Sequence, residues 1–219
     1  MMLCGCIAKH SIKECRRQAK RLDTHIFEHR MDYLDNLCGI QDLYEHLERP
    51  LIATMRPRWE GGRSYDCDGA RADQLIHAID AGCSAVDVEL DMGFLHMQRV
   101  IEHAHRRSAI VIVSKHHFEG TPSLADLRSE MWDAHNMGAD IVKIVTQSRS
   151  ELDNRTVLSL YEEAPSLKLI AFAMGETGSQ TRADAISLGA PFMYVSGDAP
   201  TAPGQVGPKK LRKMLVGAQ

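Results

Sequence analysis

Eight short apolar runs punctuate the chain: Leu3 to Ala8, His25 to Phe27, Leu51 to Met55, Ala85 to Leu90, Ala109 to Val113, Ile141 to Val145, Leu169 to Ala173 and Phe192 to Val195. Several are apolar almost without a break, as in Ala-Ile-Val-Ile-Val at 109–113. That pattern fits parallel strands covered on both faces better than antiparallel strands with one wet face. The intervals carry helical periodicity instead, with apolar positions at Leu75, Ile76 and Ile79, at Leu124, Leu127, Met131 and Ala134, at Val157, Leu158 and Tyr161, and at Leu211, Met214 and Leu215. Gly82, Gly138 and Gly189 each stand just after such a segment and just before a strand, where a left-handed residue ends a helix. Strand and helix alternate without a break in composition. The prediction is one α/β domain over 1–219, a (β/α)8 TIM barrel slightly under the fold's typical size of about 250 residues, with a doubly wound open sheet as runner-up.

The chain has 219 residues, 44% hydrophobic and 25% charged, enough to bury one substantial core. Its 26 basic and 29 acidic residues are scattered and give a net charge of -3, so there is no basic footprint for nucleic acid or an anionic membrane surface. No apolar run approaches the roughly 18 residues that span a bilayer, and Met1 to Cys6 is too short for a signal peptide's apolar region. The expectation is a cytoplasmic protein. All six cysteines (Cys4, Cys6, Cys15, Cys38, Cys67 and Cys83) fall in the first 83 residues without a C-x-x-C pair, which favours free thiols.

In a TIM barrel the chemistry stands at the carboxyl ends of the strands. Those ends carry Glu28 and Arg30 after the second strand, Arg56 and Glu60 after the third, and Asp87 and Glu89 on the fourth. His116 follows the fifth, Lys143 lies within the sixth, Met174 and Gly175 follow the seventh with Arg182 beyond, and Thr201 to Gln205 follow the eighth. Lys143 is flanked by β-branched residues in Ala-Asp-Ile-Val-Lys-Ile-Val, where an unpaired ammonium is costly. Either it pairs with Asp140, Asp87 or Glu89 for structure, or burial near cations favours a neutral amine that can form a Schiff base. A neutral imidazole at His116 would then supply the base that an imine chemistry needs. Asp87 and Glu89 fit ion pairs within the barrel as well as catalytic roles. Glu60, between Trp59 and Gly61-Gly62, fits a cavity-facing group that orients the histidine. Arginines at three strand ends, Arg30, Arg56 and Arg182, suit an anionic or polyhydroxylated ligand.

These segments resemble one family nearly end to end, the type I 3-dehydroquinate dehydratases of the shikimate pathway. Glu28-His29-Arg30-Met31-Asp32 is similar to its Glu-x-Arg-x-Asp, and Thr54-Met55-Arg56 with Glu60-Gly61-Gly62 to its Thr-x-Arg and Glu-Gly-Gly. Asp87-Val88-Glu89-Leu90 fits the fourth strand, Ser114 to Pro122 the histidine motif, and Ala139 to Lys143 the lysine strand. Met174-Gly175 through Arg182 and Ala202-Pro203-Gly204-Gln205 complete the series. The resemblance implies a homodimeric lyase of aromatic amino acid biosynthesis, without metal or organic cofactor. Lys143 would form an imine with 3-dehydroquinate, and His116 would remove a proton and then protonate the departing hydroxyl in a syn elimination. Glu60 would position His116, Glu28, Arg30 and Arg56 would bind the ring's polar edge, and Arg182, Thr201 and Gln205 would hold the carboxylate and close the lid. The chain departs from the family at His117, usually Asp, at Lys115, often aromatic, and at Thr201, often Ser. Strand alternation and motif position favour His116 over His117 as the base and turn Lys115 away from the cavity.

Three other readings compete. A Schiff-base aldolase would want a phosphate site, which Gly175 to Ser179 could supply but for Glu176. A metal-dependent barrel hydrolase could use His103-Ala104-His105, but these fall in a predicted helix where positions two apart diverge. A catalytically idle ligand-binding barrel would have no use for Lys143 and His116 together with the arginines.

Overall fold

Each apolar run forms a strand and helices fill the intervals in the computed structural model of the chain, which describes residues 1–216; residues 217–219 of the expected domain lie outside it. The order is β1 (Leu3–Ile7), α1 (Ile12–Arg21), β2 (Ile26–Arg30), α2 (Ile40–Glu45), β3 (Leu51–Thr54), α3 (Asp68–Asp80), β4 (Ala85–Glu89), α4 (Phe94–Arg106), β5 (Ile110–His116) and α5 (Leu124–Asn136). It continues with β6 (Ile141–Gln147), α6 (Glu151–Leu158), α7 (Leu160–Glu163), β7 (Leu169–Met174), α8 (Thr181–Ser187), β8 (Met193–Val195) and α9 (Pro208–Val216). Single 3-10 turns at Met31–Tyr33 and Arg58–Glu60 follow β2 and β3. Ser11, Ser123 and Ser150 cap α1, α5 and α6 by accepting from backbone N–H groups of the first turn. Gly82, Gly138 and Gly189 take φ of 97°, 107° and 109°, the left-handed joints expected before β4, β6 and β8.

The strands are parallel and pair in the order β7-β6-β5-β4-β3-β2-β1-β8, a (β/α)8 barrel in which the backbone ladder is interrupted between β7 and β8. Along β4 to β7 alternate apolar residues enter two different cores, whereas all of β8 enters one. Val86, Val88, Val111, Val113, Val142 and Ile144 face outward and pack with Leu75, Val100, Leu127 and Met131 of the helices. Ile52, Ala85, Ile112, Ile141, Ile170 and Phe172 form a second cluster with Tyr194 and Val195. That cluster includes residues of both β7 and β8, so side chains join the barrel where the ladder does not.

Three strands outrun their apolar stretches with polar residues. β2 includes Glu28 and Arg30, which hydropathy alone places beyond its end, β5 includes His116, and β6 includes Thr146 and Gln147. Pairing continues through Ser114↔Lys143 and His116↔Val145, because the ladder needs only backbone groups. The inward positions become polar where the barrel opens into a cavity, and this breaks the apolar run without ending the strand.

Helix-to-sheet packing sets the strand ends, so a void in that layer should cost the fold without touching the cavity. Leu127→Ala, at a fully buried position, is expected to lower unfolding free energy by about 2–5 kcal/mol in denaturant titration.

Candidate active site

A lysine in the barrel interior needs a counter-charge, and β4 supplies it. Lys143 Nζ donates to Asp87 Oδ2 at 2.9 Å, with both side chains almost inaccessible. Asp87 Oδ1 accepts from Arg56 Nη2 at 2.7 Å and from Ser114 Oγ at 2.6 Å, and Ser114 in turn accepts from Arg56 Nη1 at 2.8 Å. Burial opposes the charge on Asp87, but Arg56 and Lys143 outweigh it and hold the carboxyl well below its ordinary range. Asp140, the other acid near Lys143 in sequence, instead accepts from Val111 N and meets His105.

Arg56 is the hub of this cluster. Besides Asp87 and Ser114 it reaches Glu60 Oε2 at 3.3 Å and Glu89 Oε1 at 2.9 Å. Its guanidinium thus meets three carboxylates while also lining the cavity.

His116, last in β5, meets Glu60 through Nδ1 at 2.9 Å and stacks against Phe118, with ring centres 6.4 Å apart. The 3-10 turn after β3 carries Glu60 inward, and Gly61 closes it at φ 75°, where a Cβ would strike the Phe118 ring at 2.4 Å. Burial, reinforced by Arg56 and Lys143, pushes the His116 imidazole well below 6.5. Burial lifts Glu60 to about 8 against the pull of Arg56, with Glu89 and Asp87 adding to the rise. Because the two are in direct contact, the proton on one bears on the other. With Glu60 ionised it accepts the Nδ1 proton and leaves Nε2 a free base; with a proton on Glu60 that tautomer is lost. His117 points elsewhere, its Nε2 2.8 Å from Glu130, and Lys115 pairs with Asp91 outside the cavity, as alternation requires.

At the β7–β8 side stands Arg182, at the start of α8. Among the described residues it has no carboxylate within ion-pair distance; its guanidinium lies 4.2 Å from the Phe172 ring centre, its Nε has no partner, and burial lowers it to about 10. A buried cation without a counter-ion suits an incoming anion. The loop after β8 faces it. Gln205 Oε1 accepts from Thr201 N at 2.8 Å and Thr201 Oγ1 at 3.1 Å, so its amide nitrogen remains for a ligand. Gly204, φ 68°, lets this loop press on Gly175, whose carbonyl oxygen a Cβ would meet at 2.3 Å. On the opposite side Glu28 accepts from Thr54 Oγ1 at 3.1 Å, and Arg30 grips Asp32 through Nε and Nη2, both at 2.8 Å.

One cavity is lined by Lys143, His116, Glu60, Glu28, Arg30, Arg56, Arg182, Thr201 and Gln205, the residues to which the family resemblance gives roles in catalysis or binding; Asp87 and Glu89 lie behind them, against Arg56. Its apolar walls include Met174, named above only as a strand end, and Val145, Phe172 and Tyr194, which were not singled out. Tyr194 passes its ring 4.1 Å from Lys143 Nζ. Period-two counting along β6, β7 and β8 from Lys143 finds these positions, since they point inward in the layer nearest the strand ends. Arg71 on α3 had no such signal, because a helix residue carries no strand periodicity. His103 and His105 lie in α4 and turn to different carboxylates, Asp80 and Asp140. The six thiols are free, and Cys6 Sγ lies 3.3 Å from Thr201 Oγ1. Among the described residues no helix is long and apolar enough to cross a membrane.

Comparison with known proteins agrees with this geometry. A 3-dehydroquinate dehydratase of Pyrococcus abyssi is 35% identical over 214 residues, covering 98% of this chain and 97% of the relative. The crystal structure of the type I 3-dehydroquinate dehydratase of Clostridium difficile superposes with a TM-score of 0.89 at 25% identity, covering 99% and 91% of the two chains. That of the Geobacillus kaustophilus 3-dehydroquinate dehydratase gives 0.88 at 26%, covering 98% and 90%. The profile of the family described as Type I 3-dehydroquinase matches residues 3–217, and with a buried lysine, a carboxylate-held histidine and an unpaired arginine around one cavity, the chain belongs to that family.

Proposed function

We propose that this chain dehydrates 3-dehydroquinate to 3-dehydroshikimate through an imine on Lys143, with His116 moving the protons. The observation that carries the reading is that Lys143, the Glu60–His116 pair and Arg182 line the same cavity. Lys143 must be neutral to attack a ketone. Asp87 is held ionised and is a poor acceptor for its proton, whereas His116 is a neutral base in the same cavity. Attack and loss of water give a cationic imine that withdraws electrons from the neighbouring carbon. His116 takes a proton from that carbon to form an enamine, and the enamine expels the tertiary hydroxyl, which leaves as water with the proton returned by His116. Hydrolysis of the imine frees the product and restores Lys143. Arg182 and Gln205 suit the substrate carboxylate, and Glu28 and Arg30 its hydroxyl edge. On the family resemblance the reading extends to a cytoplasmic homodimer serving aromatic amino acid biosynthesis.

Borohydride reduction in the presence of 3-dehydroquinate, read by mass spectrometry, is expected to leave an adduct on Lys143; an unmodified Lys143 sinks the mechanism. His116→Ala should still trap the adduct while turnover drops about 10²–10⁴-fold, and His117→Ala should lose far less.

Arg182→Met is expected to raise KM about 10–150-fold, the worth of one charge-assisted hydrogen bond of about 1.5–3 kcal/mol, with a smaller change in kcat. An unchanged KM would remove Arg182 from carboxylate binding.

Glu60 links pH to both stability and rate. Because its native value of about 8 exceeds the ordinary 4.5, the folded protein keeps a proton that the unfolded chain releases, and loses relative stability as pH rises from 4.5 towards 8. Glu60→Gln should therefore gain on the parent's melting temperature as pH is raised across that window, while its turnover falls. A difference in melting temperature that does not vary with pH would contradict the buried, raised carboxyl.

A further inference from the structure

Arg71 lies in the first turn of α3, outside the barrel, yet is only 1% exposed. A guanidinium is buried at such cost only where carboxylates and carbonyls receive it. Its Nη2 donates to Asp68 Oδ1 at 2.8 Å, and its Nη1 bonds Glu89 and lies 3.3 Å from Met55 O. Asp68 Oδ2 in turn accepts from Gly93 N at 2.8 Å, at the start of α4. An unbroken line of contacts thus runs from the β4–α4 loop through Asp68, Arg71, Glu89, Arg56 and Glu60 to His116.

The charges explain why the line needs Arg71. Three carboxylates, Glu60, Asp87 and Glu89, converge on Arg56. Asp87 has a second partner in Lys143, and Glu60 has His116. Without Arg71, Glu89 would have Arg56 alone. A buried carboxylate with a single shared counter-ion would draw that guanidinium towards itself, away from Glu60, which at 3.3 Å is the longest of the three contacts.

We propose that Arg71 is a positioning residue for the proposed His116 base: by holding Glu89 it leaves Arg56 able to hold Glu60, and so governs the protonation of the Glu60–His116 pair. This rests on the reading of His116 as the proton carrier. Other charged groups facing the pair are Arg30 and Glu28 from β2, Asp87 from β4, Asp91 beyond β4, and Lys143 from β6. Arg182 faces it across the cavity from α8, and Lys115 and His117 beside it are occupied by Asp91 and Glu130. None of these touches Glu89 except through Arg56. Arg71 is therefore the lever that acts on the pair from outside the cavity, and it alters the pair's charge balance without contacting a ligand.

The test is the titration of the His116 imidazole followed by NMR in the full chain without substrate, with its signal assigned through His116→Ala. Removing the cation raises the proton affinity of the pair, both directly and through withdrawal of Arg56. The midpoint is expected to move to higher pH by about one unit in Arg71→Met, and the acid limb of kcat/KM to move with it. Arg71→Lys keeps the charge and should stay near the parent. Arg71→Met combined with Glu89→Gln removes the stranded carboxylate and should return towards it. Arg71→Gln, neutral but able to donate to Glu89, carries the same expected rise if Arg71→Met does not fold. An unmoved midpoint in the neutral variants, or an equal shift in Arg71→Lys, overturns the proposal. Because the titration needs no turnover, it is decided separately from whether the parent dehydrates 3-dehydroquinate.

Discussion

The ion pair between Lys143 and Asp87 is the contact from which the rest of the site follows. A primary amine inside a barrel of valine and isoleucine is stable only beside a carboxylate, and a carboxylate there is stable only with further donors. Asp87 obtains them from Arg56 and Ser114. Arg56, once buried, needs more than one acid and gathers Glu60 and Glu89. Glu60, held at the wall, is the partner that turns His116. Each group answers the desolvation of the one before it, and the chain of requirements ends at His116; Arg182 stands apart from it, against Phe172.

Most of the architecture was legible because the two faces of a buried parallel strand are both apolar and the helices between are amphipathic. The strand ends were the least legible part, for a reason rooted in the site itself. Glu28, Arg30 and His116 belong to strands by backbone pairing but to the cavity by side chain, so hydropathy assigns them to loops. The choice of His116 over His117 came from strand alternation together with motif position; in the structure His116 lines the cavity and His117 meets Glu130. Both readings of Lys143 also prove compatible: its structural pairing with Asp87 and its place in the cavity are the same position.

What sequence reasoning could not reach is the sharing of partners. Arg56 is expected from its strand-end position to meet a ligand, but strand periodicity gives no sign that it also gathers Glu60, Asp87 and Glu89. Arg71 was invisible for a related reason, since a helix residue gives no sign of how far its side chain extends into a neighbouring layer. Long side chains and shared counter-ions are properties of three-dimensional proximity, and strand or helix periodicity carries no record of them.

The interrupted ladder between β7 and β8 gives the barrel an asymmetry of stiffness. Around the rest of the circumference, hydrogen bonds set a fixed spacing between neighbouring strands. At this one seam Phe172 and Met174 of β7 and Tyr194 of β8 share one apolar cluster, and packing takes the place of a ladder. Arg182 and the Thr201–Gln205 loop stand over that seam, whereas Lys143, Asp87 and His116 stand on the laddered arc. The molecule thus has its unladdered seam beneath Arg182 and a laddered frame beneath Lys143 and His116. On the proposed function, bulk added at the carboxylate end of a ligand falls over the seam held by side chains, away from the strands that fix the amine and the imidazole.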